Sequence, residues 1–216
     1  MNTTHRIKAL LLASTLALGP AIAVRADIAP PATEPAPASG HVGLLGQAYG
    51  TLTYSYINLD ATSVHADTFS LAANHPLAFG LDGVLSYDYS QTGNLGGSRL
   101  RQHVLGGALR AFSTSYNWGK PYVEAGLGFA TARYAGSGDD SYVWEVASGV
   151  EFQVAPATTV TPYVQYLDAP DLPGEGAWNF GVKANHWVNS QAAVTAGIER
   201  DDDQNTRFTI GTNFRF

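Results

Sequence analysis

The chain has 216 residues, with 12 Lys and Arg against 18 Asp and Glu, a formal charge of −6, no cysteine, 23 glycines, and 4 Trp, 11 Tyr and 9 Phe. The absence of cysteine excludes a disulfide framework, a Cys-based metal site and lipoprotein acylation, and the acidic balance weighs against nucleic acid as a partner. Only 14% of residues are charged, and beyond the N-terminus no apolar run approaches the ~20 residues of a membrane-spanning helix.

At the N-terminus His5, Arg6 and Lys8 precede an apolar run from 9 to 23, with small residues at Ala21, Ala23 and Ala26. This is the layout of a secretory signal peptide cleaved after Ala23 or Ala26. Gly19-Pro20 interrupts a segment already too short to span a bilayer, so residues 1–26 are assigned to the signal and left out of the fold. Their removal takes Arg6, Lys8 and Arg25, 3 of the 12 basic residues, and leaves 9 against 18 acidic ones, a charge of −9. Residues 27–41 include DIAPPATEPAPASG, which is rich in Pro and Ala and has no apolar period. They read as an extended periplasmic linker, and residues 42–216 as the structured domain.

From Val42 onward polar and apolar residues alternate, and the pattern predicts ten strands, or eight if two short segments are wrongly divided. The first covers about 44–58, with Leu52, Tyr54 and Tyr56 on one face and Thr51, Thr53 and Ser55 on the other. The second covers about 64–74, and a turn at Asn74-His75-Pro76 leads to the third, about 77–90, where Phe79, Leu81, Leu85, Tyr87 and Tyr89 oppose Asp82, Ser86 and Asp88. The fourth (about 100–113) and fifth (about 121–135) are joined around Tyr116-Asn117-Trp118-Gly119. In the sixth (about 142–154), Tyr142, Trp144, Val146, Val150 and Phe152 face away from Glu145, Glu151 and Gln153, and Ala155-Pro156 turns the chain into the seventh (about 160–168). The eighth (about 177–188), ninth (about 192–200) and tenth (206–216) complete the series.

Opposed residues in an antiparallel hairpin have a constant number sum, which offers a test of register. A sum of 406 opposes Glu199 with Arg207 on the polar face and Ile198 with Phe208 on the apolar one. A sum of 234 opposes Arg110 with Glu124, and a sum of 344 opposes Tyr166 with Trp178. These hairpins share one inside-outside scheme, in which Glu145, Glu151, Lys183 and Arg215 also point inward.

The last strand, TRFTIGTNFRF, places Phe208, Ile210, Phe214 and Phe216 on one parity and ends the chain on an aromatic residue. On that same outward face aromatic residues gather near strand ends. Tyr56, Tyr87, Tyr89, Tyr142, Trp144, Tyr166 and Trp178 fall at one rim; Phe79, Phe152, Phe214 and Phe216 fall at the other. Two aromatic girdles around an apolar belt are the pattern of a transmembrane barrel. In this the chain resembles the small bacterial outer-membrane β-barrel superfamily that includes the OmpA transmembrane domain, OmpX and the opacity proteins. The resemblance covers residues 42–216 and rests on pattern; short loops set the chain apart from the adhesive opacity type. It implies an all-β, closed antiparallel up-and-down transmembrane barrel in the outer membrane of a Gram-negative bacterium. It also implies that Phe208, Ile210, Phe214 and Phe216 serve as the C-terminal signal for the barrel-assembly machinery, and that the partners are outer-membrane lipid and lipopolysaccharide.

Catalytic chemistry finds little footing. His65-x-Asp67 is the one His-carboxylate pair at short spacing, and its parity puts it toward lipid or a loop; His103 falls outward, opposite Tyr87. No nucleophile elbow, zincin helix or phosphate loop occurs. No catalytic, cofactor or metal residue is therefore assigned. The inward charges, with Arg110–Glu124 and Glu199–Arg207 as lumen pairs, suit a plugged interior better than a pore, because a barrel of about ten strands has little room once side chains fill it. Asp139-Asp140, Asp168, Asp171, Glu175 and Asp201 to Asp203 make the expected outer loops acidic. Divalent cations beside lipopolysaccharide are the sharper reading of those loops and solvated charge the plainer one. The expected function is a non-enzymatic structural or surface-interaction role, with a narrow porin-like channel as the alternative and an outer-membrane hydrolase behind it.

Overall fold

The computed structural model describes residues 43–60, 64–94, 96–172 and 176–216. The expected signal peptide and linker lie outside these residues. The described residues form ten strands: β1 (Tyr49–Asn58), β2 (His65–Ala78), β3 (Leu81–Thr92), β4 (Arg101–Phe112), β5 (Lys120–Tyr134), β6 (Ser137–Ala155), β7 (Thr158–Asp168), β8 (Ala177–Trp187), β9 (Ala192–Asp201) and β10 (Thr206–Arg215). Each strand pairs antiparallel with its chain neighbour, and β10 pairs with β1 to close the barrel. Closure leaves no edge whose backbone N–H and C=O groups would face hydrocarbon unpaired. The eight-strand alternative is thereby set aside.

Why these segments form strands is visible in their alternation. In β1 Thr53, Ser55 and Ile57 are buried in the barrel, whereas Leu52 and Tyr56 are exposed outside. The polarity is the reverse of a soluble sandwich. Asp82, Asp88, Glu124, Glu145, Glu151, Glu199 and Arg207 are all buried, while Leu127 is 72% and Ile210 63% exposed. An exterior of this kind is satisfied by hydrocarbon and penalised by water.

Boundaries differ from the sequence reading at two turns and at the start of β1. Asn74, His75 and Pro76 do not turn the chain; they lie within β2, where Asn74 opposes Val84 and Pro76 opposes Asp82, just before an irregularity between Pro76 and Ala78. Proline is tolerated beside such an irregularity near a strand end. The turn belongs to Phe79-Gly80, since Gly80 has φ 75 and a Cβ there would stand 2.9 Å from the Phe112 carbonyl oxygen. At the opposite end β5 ends where expected, but β6 starts at Ser137, five residues earlier than expected, after a tight turn at Ala135-Gly136 with φ 51 and 86. Asp139 and Asp140 consequently lie within β6, opposite Ala132 and Thr131, and not in a loop.

The interior is layered. At the end opposite Phe216, Ile57, Leu59, Leu100, Val104, Val143, Leu167 and Leu172 pack into one buried apolar cluster, with Val64 and Tyr134 against it. Hydroxyl and amide pairs bridge the barrel wall below: Ser55 with Thr209 at 2.7 Å, Thr68 with Ser90 at 2.8 Å, and Thr51 donating to Asn213 at 2.7 Å. Gly43, Phe216 and the short β2–β3 and β6–β7 turns share the remaining end, and short turns mark the periplasmic end in barrels of this architecture.

The barrel interior as candidate functional site

Charged side chains enter the lumen because they occupy the inward parity of strands whose other parity is apolar. The Arg110 Nε donates to Glu124 Oε2 at 2.5 Å across the directly paired β4 and β5. Arg110 also reaches the Tyr49 hydroxyl at 3.4 Å and lies 5.4 Å from the Tyr122 ring centroid. Across β9 and β10 the register is that of the sum 406: Arg207 opposes Glu199, with Nη1 3.2 Å from Glu199 Oε1. The Tyr163 hydroxyl donates to the second oxygen of Glu199 at 2.6 Å, and Lys183 Nζ lies 4.8 Å from the Tyr163 ring centroid. Gln165 donates to Glu145 Oε2. A cavity of about 130 Å³ remains among these groups, lined by residues that include Arg110, Glu124, Glu151, Tyr163, Lys183 and Asn185.

The mouth beside Phe216 holds a feature that alternation alone did not reveal. The sequence reading starts the first strand near Leu44, but β1 begins at Tyr49, and residues 43–48 fold back as a turn in which Gln47 N–H donates to Leu44 C=O at 3.2 Å. Leu45 is buried. Inward polar groups hold this segment: Leu44 N–H donates to Glu151 Oε2 at 2.7 Å, Gly46 N–H to Asp82 Oδ2 at 2.9 Å, and Lys120 Nζ, Asn74 Nδ2 and Arg215 Nη2 donate to the carbonyls of Leu45, Gln47 and Gly43 at 3.0, 2.8 and 2.9 Å. Thus Glu151 and Arg215, read from sequence as generic lumen charges, bind backbone. Lys120 and Asn74 had no sequence signal beyond their place at a strand end. Trp187 is a further inward residue without such a signal, stacked 3.6 Å from Arg215 Cζ.

On the outer surface the aromatic residues form a band. Trp144 and Tyr166 have ring centroids 5.3 Å apart, Tyr166 and Trp178 5.1 Å, and Tyr56 stacks on His65 at 5.2 Å. Tyr142 is exposed on the same band, as are Tyr87 and, in part, Tyr89. Directly opposite His103 stands Tyr89, not Tyr87; Tyr87 instead reaches the ring diagonally, its hydroxyl 2.8 Å from His103 Nδ1. Around the rim beside the β2–β3 turn Phe79, Phe214 and Phe216 are exposed, and Phe152 packs with Trp118 at 5.9 Å. Phe208, Ile210 and Phe214 of β10 all point outward. His65 and Asp67 lie 3.8 Å apart on the outer face, where Tyr54 donates its hydroxyl to Asp67 at 2.6 Å. Among the described residues no group of three or more His, Cys, Asp or Glu gathers as a metal-binding set.

Among solved structures the chain is similar to the translocator domain of autotransporter NalP from Neisseria meningitidis, with 13% identity, a TM-score of 0.51, and coverage of 82% of this chain and 90% of that one. The chain has an outer-membrane β-barrel fold. Neisserial surface protein A (NspA) aligns at 12% identity and TM-score 0.45 over 78% of this chain and 96% of that one, and the KdgM porin at 13% and 0.41 over 77% and 99%. The sequence matches no protein-family model and none of the curated proteins. In a barrel of this fold the lumen is the enclosed chemical environment, and the apolar exterior lies between two aromatic bands.

Proposed function

We propose that the protein is a non-enzymatic integral outer-membrane barrel with a structural or surface-interaction role, exported by a cleaved N-terminal signal and closed to solutes in its resting state. The observation that carries this reading is the filling of the lumen at three levels: the apolar cluster around Ile57 and Leu167, the Arg110–Glu124 and Glu199–Arg207 pairs, and residues 43–48 in the periplasmic mouth. A permeating ion would have to displace each in turn, exposing buried charge or opening apolar packing. The outward-facing His65–Asp67 and His103–Tyr87 contacts sit at headgroup level, where amphipathic side chains anchor a barrel, and this supports a non-catalytic role for them. A narrow porin-like channel is the competing reading. Single-channel recording in planar bilayers separates the two: the proposal expects no discrete conductance steps from correctly folded protein, and reproducible unitary steps would replace it with the channel.

A further inference from the structure

Nine basic residues follow Arg25, and their distribution is uneven. Arg110, Lys120, Lys183, Arg207 and Arg215 are spent on interior and periplasmic contacts. Of the other four, Arg200 stands apart and contacts Gln204 at 3.3 Å. Arg99, Arg101 and Arg133 line a single open cleft of about 540 Å³ at the outer rim, together with Asn94, Ser98 and Tyr134. Arg101 and Arg133 are directly opposed in the β4–β5 ladder, and both are exposed on the outward face. Like charges placed opposite each other destabilise a sheet. Asp140 offsets this only in part, since its Oδ1 lies 3.7 Å from Arg133 Nη2 in a pair that is about half exposed on both sides.

The height of the cleft identifies its ligand. Tyr89 and His103 form a directly paired row of the aromatic band, and Arg101 lies one alternate position further from the membrane, about 7 Å along the strand. With the aromatic band at the membrane interface, that is the depth of lipid phosphates. Below it, the outward face of β3, β4 and β5 descends to a shallow apolar groove of about 800 Å³, whose lining includes Gly83, Leu85, Gly107, Leu109, Ala125 and Leu127. Arg101 and Gly107 are six residues apart, roughly 20 Å along a strand; at the usual tilt of ~40° this spans about half of a ~30 Å hydrocarbon core. One acyl chain hung from the cleft therefore reaches the start of the groove.

We propose that Arg99, Arg101 and Arg133 bind the phosphate of an outer-leaflet lipid headgroup, and that the groove at Gly107 receives the end of one of its acyl chains. Guanidinium groups suit this task because they bind phosphate oxygens in a bidentate fashion and resist deprotonation. The site is independent of whether the lumen conducts, so failure of either proposal leaves the other standing.

The test is native mass spectrometry of the detergent-solubilised, folded full-length protein, titrated with dimyristoyl phosphatidic acid, the matching diacylglycerol, dihexanoyl phosphatidic acid and inorganic phosphate. Folding of each variant is checked by its migration before and after boiling. Dimyristoyl phosphatidic acid is expected to give a one-to-one adduct at least ~10-fold tighter than diacylglycerol, and the combined R101Q and R133Q variant is expected to lose roughly that factor. Gly107→Leu adds a Cβ that meets neighbours only at ordinary distances of 3.5 and 4.0 Å. It should weaken the dimyristoyl lipid and leave the dihexanoyl lipid unchanged. Equal phosphatidic acid binding by wild type and the double Arg variant would show the arginines to be solvated surface charge and overturn the site. Inorganic phosphate binding as tightly as the dimyristoyl lipid, or indifference to Gly107→Leu, would overturn its assignment to a lipid with a seated acyl chain.

Discussion

Glu199 shows what a single residue contributes to a barrel of this kind. Its two carboxylate oxygens are divided between Arg207 at 3.2 Å and the Tyr163 hydroxyl at 2.6 Å, and it is buried, so little water can substitute for a lost partner. Glu199→Gln and Arg207→Gln should each cost roughly 1 to 3 kcal/mol, and the double variant less than the two together, because each single change leaves a poorly compensated charge. An exposed pair would couple by only ~0 to 1 kcal/mol. Denaturant unfolding in lipid vesicles measures the cycle, and strict additivity would mean that the side chains do not meet. The opposite face gives a complementary test. Leu127 is mid-strand in β5 and 72% exposed, so Leu127→Arg places a charge against hydrocarbon and should destabilise by about 2 to 4 kcal/mol in the same assay. Tolerance at Leu127 equal to that of Tyr116, exposed beyond the strands, would reverse the assignment of faces. Glu199 and its partner Arg207 were legible in the sequence because parity and charge opposition are properties of local spacing. Arg215 was only half legible. Its inward parity could be read, but its partner, the Gly43 carbonyl, is 172 residues away in sequence and follows no period.

At the scale of the element, strand identity was carried by alternation and boundaries by backbone conformation, and these were not equally visible. The pattern around Asn74-His75-Pro76 carried strong turn residues, yet β2 continues through it to Ala78 because the ladder with β3 is still being formed: His75 opposes Gly83 and Pro76 opposes Asp82. The decisive signal was the glycine that follows. Gly80→Ala should cost about 1 to 2 kcal/mol, since it combines a left-handed backbone, φ 75, with a Cβ 2.9 Å from the Phe112 carbonyl. Gly97→Ala, also at positive φ but with open space around it, serves as the comparison for conformational cost alone. If the two substitutions prove equal, the β2–β3 turn is not sterically sealed as described. The segment at 43–48 is another boundary that alternation misplaced. Leu44 and Leu45 extend the apolar count of the first strand, but the segment turns because Glu151, Asp82, Lys120 and Arg215 supply partners for its backbone groups at the barrel mouth. Such partners come from four distant strands, and only the closed barrel brings them together.

For the whole molecule, the distribution of polarity is the central feature: carboxylates, guanidiniums and hydroxyls inside, and Leu, Ile, Val and Phe outside between aromatic rims. A ten-stranded closed ladder with this inversion has no stable arrangement in water, whereas a bilayer satisfies the exterior and the interior satisfies itself. The sequence carried this much because every strand repeats the same rule; the distribution of the arginines, which separates interior pairs from the outer cleft, required the ladder between β4 and β5. The measurement that bears most directly on the inversion is gel migration of membrane-derived protein with and without boiling, paired with carbonate extraction of the membranes. A closed lipid-embedded barrel should stay in the carbonate-washed membrane and migrate differently before and after heating, because detergent alone does not open the ladder. Release by carbonate together with identical migration would contradict it, and would place the apolar face in a soluble protein interior instead.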